Sequence, residues 1–197
     1  PLSNVLTQIT RAPSLEGILN HILHRLPDEE LLILAELSVY RSPAPASAWA
    51  QQQRALEKLV ARQLVQEDGR GGVSLLPAYK EFIYAGRSPE VRAKLHLDAA
   101  WVRANMAERT AAAYHCICAN RPDLAVTLWY PHRQSEINQG QAEAAYAVFD
   151  GIALNQLRPT VQKLLMLIRS ELKVLRGAYE QARDALGTAS WDDDVLS

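Results

Sequence analysis

The side chains that could act as acids or bases are scattered along this sequence. His21 and His24 fall within one turn of a predicted helix, but neither has a carboxylate or thiol partner at a useful spacing. Asp28 and Glu29 are better explained as a helix start, where negative charge is favoured. The three Asp residues at 192–194 lie in a polar tail that we expect to fray. We therefore predict no catalytic residues.

The sequence also lacks the residues that metal binding and nucleotide binding require. Cys116 and Cys118 are one residue apart, which on a helix points the thiols to different faces, and His115 beside them has no further ligands for a tetrahedral site. The pattern Gly-x-x-x-x-Gly-Lys-[Ser/Thr] is absent, so the phosphate-cradling backbone and its Lys are missing. We expect no metal, no cofactor and no ATP hydrolysis by this chain alone, and a hydrolase with an unrecognised site ranks last.

A row of cations gives the sequence its one possible nucleic-acid surface. Arg54, Lys58 and Arg62 follow each other at four-residue spacing along one face of a predicted helix. Glu57 lies beside them and the overall net charge is -1, so a solvated or intramolecular docking face is favoured over phosphate binding. Nucleic acid is an unfavoured partner, and DNA binding is kept as the alternative function.

Three large aromatic residues could anchor a protein partner. Trp101, Trp129 and Tyr130 lie within helical apolar stripes, where packing in the core or between repeats is the usual role. The adjacent pair Trp129 and Tyr130, followed by Pro131, could instead line a groove. Both interpretations stay open.

The composition is that of a folded protein of 197 residues, with 48% hydrophobic and 22% charged residues. No apolar run approaches the roughly 18 residues of a membrane helix, and the first residues do not form a secretory signal. We expect a cytoplasmic protein that does not enter membranes.

The N-terminal elements predict three helices and a hairpin. Apolar residues recur at helical spacing from Leu15 to Leu26, Pro27 ends that helix, and Asp28 can cap the next. Leu32, Ile33 and Leu37 widen the apolar face of this second helix, and residues 51–65 form the third. Short apolar stretches at 64–66 and 73–76 flank a Gly-rich turn. Three helices followed by a two-stranded wing predict a winged-helix domain.

The remainder is predicted to be helix and turn. Three times a residue that tolerates a left-handed backbone is followed five positions later by Ala, which lets paired helices approach closely. In the third copy, Tyr179 is expected to pack back on its hairpin. This spacing predicts an array like tetratricopeptide repeats, with a single irregular bundle as the alternative. The three pairs are Asn120 with Ala125, Gly140 with Ala145, and Gly177 with Ala182.

The ordered set of segments resembles a known family. PSLEGILNHILHRLPDEELLILAELSVYR, then ALEKLVARQLVQEDGRGGVSLLPAYKEF, then paired helices, resembles the region behind the nucleotide-binding core of STAND-class signalling ATPases, such as NB-ARC proteins and LuxR-type maltose regulators. Pro1 and Leu2 resemble the end of that family's lid element. The resemblance implies a winged helix that clamps nucleotide and a superhelix that senses a partner. The family's phosphate-contacting His aligns with Leu76, which cannot donate a hydrogen bond.

We therefore expect a mainly α protein with a winged-helix domain and preceding lid helix at residues 1–85, and a helical-repeat segment, truncated at its C-terminus, at 86–197. The expected function is non-catalytic: a regulatory and protein-interaction segment that relays partner or ligand sensing to a nucleotide-binding core. Its expected partner is a protein or its own upstream core, and the parent protein can oligomerise. A DNA-binding transcription regulator is the alternative.

Overall fold

The computed structural model describes residues 15–187, which are mainly helical. The chain divides into two compact units, Pro1–Arg92 and Ala93–Ser197, which we call unit 1 and unit 2. At the end of unit 1, the Arg92 guanidinium donates to the carbonyls of Arg87 and Ala85. The predicted lid residues Pro1 and Leu2, the helix start at 13–14 and the acidic tail at 192–194 lie outside the described residues.

Unit 1 begins with the two predicted helices, α1 (Leu15–Leu23) and α2 (Asp28–Leu37). Asp28 is the first residue of α2 and not its cap, because Pro27 occupies the N-cap position and no side chain caps it. Acidic residues in the first turn still favour the helix dipole. Ile33 and Leu37 are buried as expected, whereas Leu32 is half-exposed, so the apolar face of α2 is narrower than predicted.

A short strand, β1 (Ala44–Pro45), follows α2 and was not predicted, since Pro43 precedes it and Pro45 lies within it. A 3₁₀ segment, Ala46–Gln52, then leads into α3 (Gln53–Ala61). The predicted hairpin is confirmed as β2 (Val65–Glu67) and β3 (Gly72–Leu75), with Val65 opposite Leu75. The antiparallel sheet has the order β1-β3-β2. Unit 1 closes with α4 (Pro77–Ala85).

Unit 2 contains helices and 3₁₀ turns, and no strand occurs among residues 76–187, as predicted. Trp129 and Phe149 pack at the centre of its core, 5.1 Å apart between ring centroids. None of the described helices is both long and apolar enough to span a membrane. The helices, of which α5 begins in unit 1, are α5 (Pro89–Asn105), α6 (Arg109–Cys118), α7 (Pro122–Trp129), α8 (Arg133–Asn138), α9 (Ala142–Phe149), α10 (Pro159–Leu175) and α11 (Tyr179–Gly187).

The three predicted turns share one geometry. Asn120, Gly140 and Gly177 have φ of 57, 79 and 78°, and the alanine five positions after each is buried. After each turn residue, the next N–H donates to the carbonyl five residues back, at 2.8–3.0 Å, which is the bond that closes a helix end. A fourth copy was missed: Ala107 has φ 61°, and Ala112 is buried. Alanine at the turn gives no sequence signal, since it rarely adopts positive φ.

Candidate functional site

The row of cations that the sequence predicted lies on α3 and at its C-terminal end. Arg54 and Lys58 are exposed on the helix surface. Arg62, the residue after the helix, forms an ion pair with Glu30 of α2, which is buried. Because a buried carboxylate is costly without its partner, Arg62 is held in this contact within unit 1. The ion pair is an intramolecular contact of the kind that the sequence favoured for this row, and phosphate binding stays the alternative.

The hairpin turn adds negative charge next to its one cation, Arg70. The Asp68 carboxylate accepts hydrogen bonds from the backbone N–H groups of Arg70 and Gly72, each at 2.8 Å. These bonds hold the pKa of Asp68 below its usual range, so the carboxylate stays ionised. The turn therefore offers no net positive charge to a phosphate backbone.

The three aromatic residues predicted as a partner groove do not share a surface. Trp129 is fully buried, and its indole N–H donates to the hydroxyl of Thr110 at 2.8 Å, so it cannot line a groove. Its place on an apolar helical stripe already favoured the core. Trp101 is 54% exposed on α5, and Tyr130 is partly buried. Only Tyr130 contributes to the groove described next.

A groove of about 550 Å³ lies in unit 2 along α10 and α11. Its apolar wall includes Val174 and Tyr179, which are 45% and 65% exposed. Tyr179 therefore does not pack back on its hairpin as predicted. On the opposite side, the Arg133 guanidinium lies 4.4 Å from the centroid of the Tyr130 ring and pairs with Glu171 at 3.2 Å. An apolar wall beside a charged pair suits an apolar side chain of a protein partner.

A buried polar network, which sequence reasoning missed, joins α8 to the start of α6. Glu136 of α8 is buried, and its carboxylate accepts from the Arg109 N–H at 3.0 Å and from the N–H and hydroxyl of Thr110 at 2.9 and 2.6 Å. The carboxylate thus caps the N-terminus of α6 from another helix. Because 26 residues separate Glu136 from Thr110, no local pattern signals the contact.

We expected Cys116, Cys118 and His115 to pack inside a helical pair; His115 and Cys116 are buried, whereas Cys118 is exposed, so the expectation is wrong for Cys118. Burial raises the pKa of the Cys116 thiol to about 11, which makes it a poor nucleophile. His96, which sequence reasoning did not single out, lies opposite His115 with 3.0 Å between their Nδ1 atoms. Burial lowers the pKa of His96 to about 4, so this ring is neutral.

Metal-ligating side chains do not converge in the part of the chain that the structure describes: residues 15–187 hold no group of three or more His, Cys, Asp or Glu able to bind a metal ion. His21 and His24 are both exposed on or just after α1. No protein-family model, curated protein or solved structure matches this chain. The function must therefore be argued from the two units themselves.

Proposed function

We propose that this chain is a non-catalytic regulatory and protein-interaction segment of a STAND-class signalling ATPase. In this proposal unit 1 is a winged-helix domain and unit 2 is a tetratricopeptide-like array. The array binds a protein partner, and the pair of units relays that event to a nucleotide-binding core elsewhere in the parent protein.

The order of elements in unit 1 supports the winged-helix part. From α2 to β3 the chain runs helix, strand, 3₁₀ segment and helix, strand, strand, with β1 completing a three-stranded sheet. This order of elements is the one expected of a helix-turn-helix domain with a wing, and it supports the proposed winged helix. Trp49, in the 3₁₀ segment, is buried and donates its indole N–H to Glu36 of α2 at 2.5 Å, which fixes the segment on the preceding helix.

The observation that carries the proposal is the repeated turn of unit 2. Four turns end a helix at a residue with a left-handed backbone and with the same closing hydrogen bond, and each is followed five positions later by a buried Ala. A stacked helical repeat needs this combination, since a sharp turn and a small contact residue let successive helices lie close. The exposed groove along α10 and α11 then supplies a surface for a partner.

The experiment compares two adjacent exposed residues of α10 in the longer protein. The proposal expects a phosphate-binding loop in the sequence encoded before Pro1, and ATP hydrolysis by the protein that contains it. Val174→Asp places charge in the groove and should change that hydrolysis rate about fivefold or more. Leu175→Asp is the matched control, because Leu175 is equally exposed but does not line the groove. An upstream sequence without the loop, or equal rates for both variants, would contradict the proposal.

A DNA-binding regulator is the second candidate. One observation favours it: Arg54 and Lys58 remain exposed on α3, the helix that precedes the hairpin. Two cations are few for phosphate binding, and Glu57 lies between them in sequence, where it accepts a hydrogen bond from Gln53 at 3.0 Å.

A further inference from the structure

The groove of unit 2 lies next to the last residues that the structure describes. Leu186 lines the groove, and Gly187 is the next residue along the chain. In the wall of the groove, Val174 and Tyr179 are 45% and 65% exposed. Exposed apolar side chains gathered in one groove mark a surface that a ligand covers. The ten residues 188–197 follow in the sequence, so a ligand from this chain itself would start at the edge of the groove.

The charged residues of the groove favour an acidic ligand. Arg133 and Arg183 line it with Glu171, so two cations and one carboxylate leave a net charge of +1. Arg133 already pairs with Glu171, at 3.2 Å. Arg183 lies 3.2 Å from Asp184, its neighbour in sequence, and both of these side chains are well exposed. Because an exposed pair of this kind contributes little to stability, Arg183 can exchange its partner for another carboxylate.

The last ten residues of the sequence, TASWDDDVLS, have the complementary chemistry. Residues 188–197 contain three Asp at 192–194 and no Lys or Arg. Trp191 comes directly before the acidic residues, and Val195 and Leu196 come directly after them. Trp is among the side chains that most often anchor protein contacts, and here it stands beside carboxylates. An apolar anchor with adjacent negative charge matches an apolar groove that carries Arg183.

The connection between the groove and Trp191 is short but sufficient. Four residues of extended chain lead from Gly187 to Trp191, a reach of up to about 14 Å. A ligand on so short a tether has an effective concentration in the millimolar range. Contacts that would be weak between separate molecules therefore suffice to fill the groove.

We propose that the groove of unit 2 is occupied by the chain's own residues 188–197, with Trp191 against the apolar wall and the carboxylates of 192–194 beside Arg183. Composition alone predicts a frayed tail, and the groove supplies the contacts that would order it. The inference deepens the proposed function and rests on it in one respect: a protein partner of the groove must displace this tail. The tail then regulates access to the partner site.

The first test is NMR spectroscopy of the full 197-residue chain. Nuclear Overhauser contacts are expected between the ring protons of Trp191 and those of Tyr179. Val174→Asp places a charge in the groove and should abolish these contacts. Leu175→Asp is the matched control, because Leu175 is similarly exposed outside the groove, and it should retain them. Absence of the contacts in the unchanged chain, or their equal loss in both variants, would overturn the inference.

A synthetic peptide of residues 188–197 measures how far the attached tail blocks the groove. The peptide should bind the Trp191→Ala chain about tenfold more tightly than the unchanged chain, whose groove is already filled. In the Trp191→Ala chain, Arg183→Gln should weaken peptide binding about threefold at low ionic strength. Arg158→Gln removes an exposed cation outside the groove and should leave binding unchanged. Equal binding by the Trp191→Ala and unchanged chains, or no effect of Arg183→Gln, refutes the proposed contact.

A second copy of the chain is the other source of the same tail. Contacts between separately isotope-labelled chains, with signals that fade on dilution, would place the tail of one copy in the groove of another and overturn the intramolecular assignment. None of these measurements follows ATP hydrolysis. Their failure is therefore distinct from failure of the proposed function, since a groove that the tail does not fill is still open to a protein partner.

Discussion

The buried imidazole of His96, which faces the buried ring of His115, should make the stability of unit 2 depend on pH. Their Nδ1 atoms are 3.0 Å apart, a separation that accommodates one proton between the rings but not two. His96 is buried, which lowers its pKa to about 4 from its ordinary value of 6.5. Between these values the unfolded chain binds a proton that the folded chain does not. The free energy of unfolding should therefore fall as the pH falls from 6.5 to 4.

This pH dependence can be measured by urea denaturation followed through the indole N–H signal of Trp129. We expect a loss of roughly 3 kcal/mol between pH 7 and pH 4 that is attributable to His96. The variant His96→Gln should lose less stability over the same window, because its amide does not titrate. Identical pH profiles for the two proteins would show that the buried imidazole is not responsible.

The carboxylate of Glu136 should be among the most sensitive single side chains of unit 2. Replacing it with Ala leaves the N–H groups of Arg109 and Thr110 without their acceptor at a buried helix start. We expect Glu136→Ala to cost about 3 kcal/mol in the free energy of unfolding. Glu143→Ala is the control, since Glu143 is exposed and pairs with Arg176 at the surface, and it should cost under about 0.5 kcal/mol. Similar losses for both variants would contradict the capping role.

At the scale of elements, the turn between α10 and α11 is the copy of the repeat in which the predicted packing can be tested. Ala182 is buried and Gly177 has φ 78°, a conformation that a β-branched residue resists. We expect Ala182→Leu to overpack the helix contact at a cost of about 1–3 kcal/mol, and Gly177→Val to destabilise as well. In thermal melts, both variants should have lower melting temperatures than Arg183→Ala. That control changes an exposed side chain and should cost under about 0.5 kcal/mol. If Ala182→Leu and Gly177→Val melt at the same temperature as the unchanged chain, this packing is contradicted.

The cations of helix α3 and the hairpin determine how tightly unit 1 could bind DNA, which is the alternative function. With Arg62 committed to Glu30, only Arg54 and Lys58 of the row remain for phosphates, so we expect weak, non-specific binding with a salt slope of about -2. A gel-shift series across salt concentrations measures this slope. The suitable double variant is Arg54→Ala with Lys58→Ala. Arg62 is left unchanged, because replacing it would leave the buried carboxylate of Glu30 without its ion-pair partner. Tight, sequence-selective binding that this variant abolishes would favour the DNA-binding function.

Elements with a local signal could be predicted from the sequence, and contacts between distant residues could not. The Gly-rich turn and its flanking apolar residues predicted the hairpin, and the turn residues at 120, 140 and 177 predicted buried alanines. Strand β1 was missed because its prolines are typical of loops, and the turn at Ala107 because alanine gives no signal there. The ion pair of Arg62 with Glu30 joins residues 32 apart, a contact that no periodicity encodes.

At the scale of the whole molecule, the proposed function makes the chain an accessory segment that depends on another part of a protein for nucleotide chemistry. Its 197 residues contain no phosphate-binding loop, and Leu76, at the position where the family's His is expected, precedes α4 without a side chain able to donate to phosphate. In this proposal, sensing belongs to the groove of unit 2.

Calorimetric titration of the isolated chain with ATP and with ADP tests the proposed accessory role. We expect no dissociation constant in the micromolar range for either nucleotide, because the glycine-rich loop and its Lys are absent from the 197 residues and Leu76 cannot donate a hydrogen bond to phosphate. Binding no tighter than the millimolar range would agree with the accessory role. A micromolar Kd for ATP or ADP, measured without any upstream core, would contradict it.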